Sequence, residues 1–92
     1  MKSTSKDLHQ LPGLGLKTTQ MLEEVSIFNE EDLRSLGAPQ AYVRLKLRFS
    51  NGVNRNALHA LYGAIEGKDW RELTLQEKDA LDLAVEEALN DF

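Results

Sequence analysis

The chain contains no cysteine, so disulfide staples, thiol chemistry and thiolate metal sites are excluded, in keeping with a reducing cytoplasm. It also lacks any apolar run near the roughly 20 residues that a membrane span needs, and its N-terminus lacks a hydrophobic signal core. Export and membrane insertion are not expected, and the expected location is cytoplasmic. A third lack is local: residues 33–65 hold no aspartate or glutamate.

What is present suits one small soluble domain. A chain of 92 residues has room for a single core and buries roughly 60–65% of its unfolded surface. Apolar residues make up 41% and charged residues 28%, a balance that argues against disorder. Met1 to Lys6 is polar and is expected to fray, leaving residues 7–92 as one domain.

The net charge of −4 conceals a segregation. Residues 1–32 carry three bases against six acids, and the last 27 carry three against nine. Between them stand Arg34, Arg44, Lys46, Arg48 and Arg55 alone. Either the basic middle faces a negatively charged partner, or the basic and acidic blocks pair internally.

The punctuation of the chain favours helices joined by short turns. Asp7, Leu8 and Leu11 suggest a brief first helix, stopped by Pro12, Gly13 and Gly15. From Lys17 to Val25, the residues Thr18, Met21, Leu22 and Val25 keep helical spacing, with Leu14 and Leu16 available to plug the turn. Asn29 is a good N-cap, followed by Glu30, Glu31 and Asp32 at the positive end of the helix dipole. That helix is expected to end at Gly37, and Pro39 suits the first turn of the next.

Tyr42 to Phe49 alternates apolar and basic residues as a half-buried strand would. A lone strand leaves its backbone groups unpaired and nothing else in the chain reads as β, so helix is the expectation. It places Ala41, Tyr42, Leu45 and Phe49 on one face and Val43 with Leu47 on another, leaving Arg44 and Arg48 on a strip between. After Ser50-Asn51-Gly52, Asn54 caps a helix with the stripe Leu58, Leu61, Tyr62 and Ile65. Its small residues Ala57, Ala60, Gly63 and Ala64 mark it as the central helix. Asp69 starts a single turn bearing Trp70 and Leu73. Thr74 and Glu77 form a capping box, and a last helix runs to about Leu89. Its expected inner face is Leu81, Ala84, Val85, Ala88, Leu89 and Phe92.

The most specific local motif is Leu11-Pro12-Gly13-Leu14-Gly15-Leu16-Lys17, the pattern of a hairpin leading into a helix. Glycines at 13 and 15 permit a tight bend and close approach of a ligand. Free amides near Gly13, Gly15 and Lys17, the helix dipole and the Lys17 ammonium can together hold a phosphate oxygen, which reads backbone and not base sequence. The same glycines equally serve a purely structural turn. Arg44, Arg48 and Arg55 are the candidates for extending such a contact.

The series Gly13-Leu14-Gly15 with Lys17, Leu36-Gly37-Ala38, Ala41 to Lys46, Leu58 to Ala64 and Gly67 to Leu73 resembles the C-terminal domain of the TfoX/Sxy competence regulators over about residues 8–90. The resemblance implies an all-α, SAM-like or helix-hairpin-helix-like bundle of about five helices. It also implies a role in switching on genes for DNA uptake in natural transformation, alongside the cyclic-AMP receptor protein at promoters. In such regulators a separate N-terminal domain precedes this one, so the chain reads as a fragment of a longer regulator or as a free-standing relative.

Other residues point to no chemistry. His9 and His59 lack paired ligand spacing and read as surface or packing histidines; no metal and no cofactor is expected. No serine or threonine has a recognisable base beside it, so the expectation is a non-enzymatic module. Trp70 reads as a core or lid residue.

Overall fold

Five α-helices follow one another in the computed structural model, which describes residues 8–11 and 13–90, the side chains of His9 and Asn51 excepted. They are α1 (Leu16–Glu24), α2 (Glu30–Leu36), α3 (Ala38–Phe49), α4 (Arg55–Glu66) and α5 (Leu75–Asn90). Single 3-10 turns occupy Leu8–Gln10, Ser50–Gly52 and Trp70–Glu72. No strand element occurs among the described residues, and the fold is all-α. The expectations for Met1 to Lys6, Asp7, Pro12 and Phe92 lie outside the described residues.

Local chemistry sets most helix ends. Asn29 Oδ1 accepts the Asp32 amide at 2.9 Å, and Asp32 in turn accepts the Phe28 amide at 3.0 Å. α2 stops at Gly37, whose φ of 88° favours glycine, and Pro39 lies in the first turn of α3. One residue thus separates two helices. Asn54 caps α4 by accepting the Asn56 amide at 3.0 Å. At α5 the capping box is reciprocal: Thr74 Oγ1 accepts from the Glu77 amide at 3.1 Å, and Glu77 Oε1 from the Thr74 amide at 3.0 Å.

The end of α1 is less expected. The Ile27 amide reaches back to the Leu22 carbonyl at 2.9 Å and the Ser26 amide to the Glu23 carbonyl at 3.1 Å, the paired bonds of a Schellman cap. That cap needs a left-handed residue, and Ser26 supplies it at φ 67°. Glycine is the usual occupant, because a Cβ there crowds the following carbonyl. Ser26→Gly is therefore expected to raise stability by about 0.5–1 kcal/mol, a net of relieved strain over added unfolded-state freedom. Denaturant unfolding with an unchanged m-value checks it.

The alternating segment is helical, and its pattern resolves into burial by side. Ala38, Ala41 and Leu45 are buried on one side of α3 and Val43 on the other, while Leu47 stands out at 62% exposure. Because its buried residues point both ways, α3 packs against every other helix. It is the hub that the sequence assigned to α4, although α4 also buries Leu58, His59, Leu61, Gly63 and Ala64. The deepest core joins Leu22, Ile27, Leu33, Val43, Leu45, Leu58 and Leu61. α5 adds Leu81, Val85 and Ala88 at spacings of four and three. Leu89, one position further, is turned about 100° from Ala88 and is exposed, not inward as expected. Likewise Leu14 plugs the turn before α1, but Leu16 is 72% exposed.

Candidate nucleic-acid and partner interface

The bend before α1 is built on backbone bonds from the Leu11 amide to the Leu8 carbonyl at 3.0 Å and from the Leu14 amide to the Leu11 carbonyl at 3.5 Å. Gly13 sits at φ 83°, in the left-handed region, beside Trp70. Gly15 is different: its φ of −84° suits any residue, and a Cβ there meets nothing within 4 Å. The fold needs glycine at 13 for backbone conformation. At 15, the absent side chain leaves open space at the start of a helix.

Gly15 also caps α1 without a side-chain hydrogen bond. A helix begins with amides that have no partner inside it, and among the described residues no capping side chain takes them up. Lys17, exposed in this first turn, has no ion pair among the described residues. An open groove of about 260 Å³ runs from Lys17 and Met21 to Asn54 and Asn56 at the start of α4, with Trp70 along it.

The six sequence-selected residues do not form one cluster. Gly13, Gly15 and Lys17 lie together at the beginning of α1. Arg44 and Arg48 lie at its other end, roughly 12 Å away along the helix axis: Arg44 Nη1 donates to the Val25 carbonyl at 3.2 Å, and Arg48 meets Glu24 at 3.5 Å with its guanidinium 4.9 Å from the Phe49 ring centre. Arg55 opens α4 and meets Asp82 of α5 at 3.4 Å. Among the described residues, Arg55 with Asp82 is the one ion pair joining the basic middle to the acidic C-terminal block. These exposed pairs contribute little to stability.

Two further electrostatic features hold the segment between α4 and α5. Lys68 Nζ meets Glu77 Oε2 at 2.6 Å, a contact that lowers the glutamate pKa and raises that of the lysine. Glu77 thereby anchors the turn and caps α5 at once. Beside it, the Arg71 side chain and amide hold Asp69 down to about 2.

His59 is the buried polar group of the α4 interior, and its Nε2 has no hydrogen-bond partner among the described residues. Burial lowers its pKa from the ordinary 6.5; Lys78 and Arg55 act in the same direction and Asp82 against it. A depressed histidine pKa means that the unfolded chain takes up a proton before the folded one does. The contribution is therefore complete above about pH 6.5 and is lost as pH falls through that value towards the folded pKa. Wild type is expected to lose stability below pH 6.5 more steeply than His59→Gln, as read by unfolding midpoints of the two proteins between pH 7.5 and 5. Among the described residues no group of three histidine, aspartate or glutamate side chains is placed to hold a metal ion. No described helix is long and apolar enough to cross a membrane.

The sequence reading grouped the exposed Leu47 with Val43 on an apolar side of α3 and overlooked the exposed Leu75 and Leu83. Their signal was available, since Leu47 and Leu83 each fall among charges on the polar side of a helix.

Five helices in this order, with an open bend leading into the first long one, define a small all-α module. The chain matches the TfoX C-terminal domain over residues 4–85 and belongs to that family. It is thus a module like the C-terminal domain of competence regulators. Among solved structures it is similar to a protein of unknown function from Listeria monocytogenes in a tetragonal crystal form. The TM-score is 0.79 and the identity 28%, over 88% of this chain and 98% of that one. It is also similar to an uncharacterized protein from Listeria monocytogenes in a triclinic form, with a TM-score of 0.78 and 30% identity over 83% of this chain and 85% of that one. No curated protein matches the chain.

Proposed function

We propose that this domain is a non-enzymatic cytoplasmic regulator of competence genes that touches nucleic-acid backbone through the start of α1. The observation behind this is the N-terminus of α1 at Gly15, which has no side-chain cap, next to Lys17, which has no ion pair among the described residues. Amide dipoles and an ammonium on one helix turn suit a phosphate oxygen. Gly13 shapes the approach, and Arg55, at the start of α4, can release Asp82 to reach a neighbouring phosphate. Arg44 and Arg48 extend the contact only for a nucleic acid that follows α1 to its far end.

The net charge of −4 keeps such binding weak and its salt dependence shallow, because only a few phosphates are neutralised and each contributes roughly −0.9 to the logarithmic salt slope. The test is an amide chemical-shift titration with a short duplex. Shifts are expected at Gly13 to Thr18, lost in Lys17→Ala and on raising salt; a flat titration at low salt overturns the phosphate reading.

A second reading makes the domain a protein adaptor on a transcription factor such as the cyclic-AMP receptor protein. It is favoured by the exposed Leu47 beside Arg44 and Arg48, a mixed apolar and basic face suited to protein more than to phosphate alone. Shifts confined to Gln40 to Arg48 on adding that factor would identify it.

A further inference from the structure

α3 and α5 each turn outward a face that the rest of the fold leaves uncovered. On α3 it consists of Gln40, Arg44, Leu47 and Arg48, whose spacing puts them on one side of the helix. With Val25 from the end of α1 they line an open groove of about 400 Å³. The cations there are lightly held: among the described residues Arg44 has no carboxylate partner, and the Arg48 pair with Glu24 is more than half exposed on both sides.

α5 buries Leu81, Val85 and Ala88. Its opposite side carries Asp79, Leu83, Glu86 and Glu87, with Leu83 58% exposed. Among the described residues these three carboxylates have no ion pair. An exposed leucine set among unpaired acids is not what a purely solvated helix face requires.

The two faces match in size and chemistry. Each runs over nine residues, about 12 Å of helix, and each sets one exposed leucine among charges of a single sign, two positive on α3 and three negative on α5. We propose that the α5 face of one copy docks on the α3 groove of a second copy, with Leu83 against Leu47 and the α5 carboxylates on Arg44 and Arg48. The amphipathic acidic helix that this groove fits is present in the chain itself, and docking explains leucines on the solvent side of both helices.

Arg48 exchanges its exposed intramolecular partner for one across the interface, an exchange of low cost. Since the two surfaces differ, the contact is head-to-tail; it closes into a dimer where a two-fold axis allows it to form twice. The patch is small and each copy carries −4, so the dissociation constant is micromolar or weaker. The proposal rests on the adaptor reading of the α3 face and is independent of phosphate contact at the bend.

Sedimentation velocity of the full chain from micromolar to millimolar concentration, at low salt, tests it. Wild type is expected to associate as concentration rises. Arg44→Glu/Arg48→Glu and Asp79→Lys/Glu86→Lys, each alone, are expected to lower the association constant by about tenfold or more. Mixing the two variants restores association, because each then offers the other two complementary faces. Thermal unfolding of both variants shows that the fold is intact, and Leu47→Ser, uncharged and exposed, weakens association independently. Wild type that stays monomeric at millimolar concentration, or a mixture that stays monomeric, overturns the proposal. Promoter activation by such a monomer that still depends on Arg44 would sink self-association while leaving the adaptor reading standing.

Discussion

Leu45→Ala is expected to cost about 2–5 kcal/mol of folding stability, and Leu47→Ala less than about 0.5 kcal/mol. The two leucines are separated by one residue, and in a strand they would share a face and lose alike. In α3 they are turned about 200° apart. Leu45 is 1% exposed within the hub of the core, whereas Leu47 is 62% exposed. Removing three carbons from Leu45 opens a cavity that α3 cannot close by shifting, since it is held by helices on several sides. For a small domain whose total stability is on the order of 5–15 kcal/mol, that loss is a large share of the whole. Paired thermal melts read the contrast directly, at roughly 4–8 °C per kcal/mol. Equal losses at the two positions would contradict the register of α3.

The same segment shows where sequence reading reaches its limit. Val43, Leu45, Leu47 and Phe49 alternate with Arg44, Lys46 and Arg48, and helix was preferred only because a strand would have lacked a partner. Helix ends were more legible, because capping is local. Asn29, Asn54 and the Thr74 and Glu77 pair needed only a side-chain oxygen two or three residues from an orphan amide. Gly37 and Pro39 needed only their own backbone preferences. Ser26 was not legible: a serine in the left-handed region is held there by the burial of Leu22 and Ile27 on either side of the cap, a tertiary effect.

The candidate interface divides in the same manner. The bend at Gly13 and the exposed Lys17 are sequence-local features. The partners of Arg48 and Arg55 are not, since Glu24 and Asp82 come from other helices, and composition fixes the charge of a block without fixing what it meets. Leu47 and Leu83 could have been noticed as apolar residues on charged faces. They were instead absorbed into a second apolar side of α3 and passed over on α5.

Gly63→Ala is expected to destabilise the domain by about 1–3 kcal/mol, although glycine to alanine inside a helix ordinarily gains up to about 1 kcal/mol. The sign is decided by what lies over residue 63. A Cβ built there falls 2.6 Å from the Lys68 carbonyl oxygen and 3.2 Å from the Trp70 nitrogen, both backbone atoms that cannot rotate aside. The chain leaves α4 through Gly67 at φ 74° and folds back over the helix, with the Lys68 amide bonded to the Gly63 carbonyl at 2.9 Å. The added methyl must therefore lift the whole 67–72 segment, including a half-buried Trp70 and the ion pair of Lys68 with Glu77 that helps start α5. Trp70 also borders the groove beside Lys17 and stands next to Gly13. Gly63→Ala is thus expected to red-shift tryptophan emission and to weaken any titration seen at Gly13 to Thr18. Gly15→Ala, whose Cβ meets nothing within 4 Å, leaves the emission unchanged. A stabilised Gly63→Ala with unaltered emission would show that the return of the chain over α4 is not closed as described.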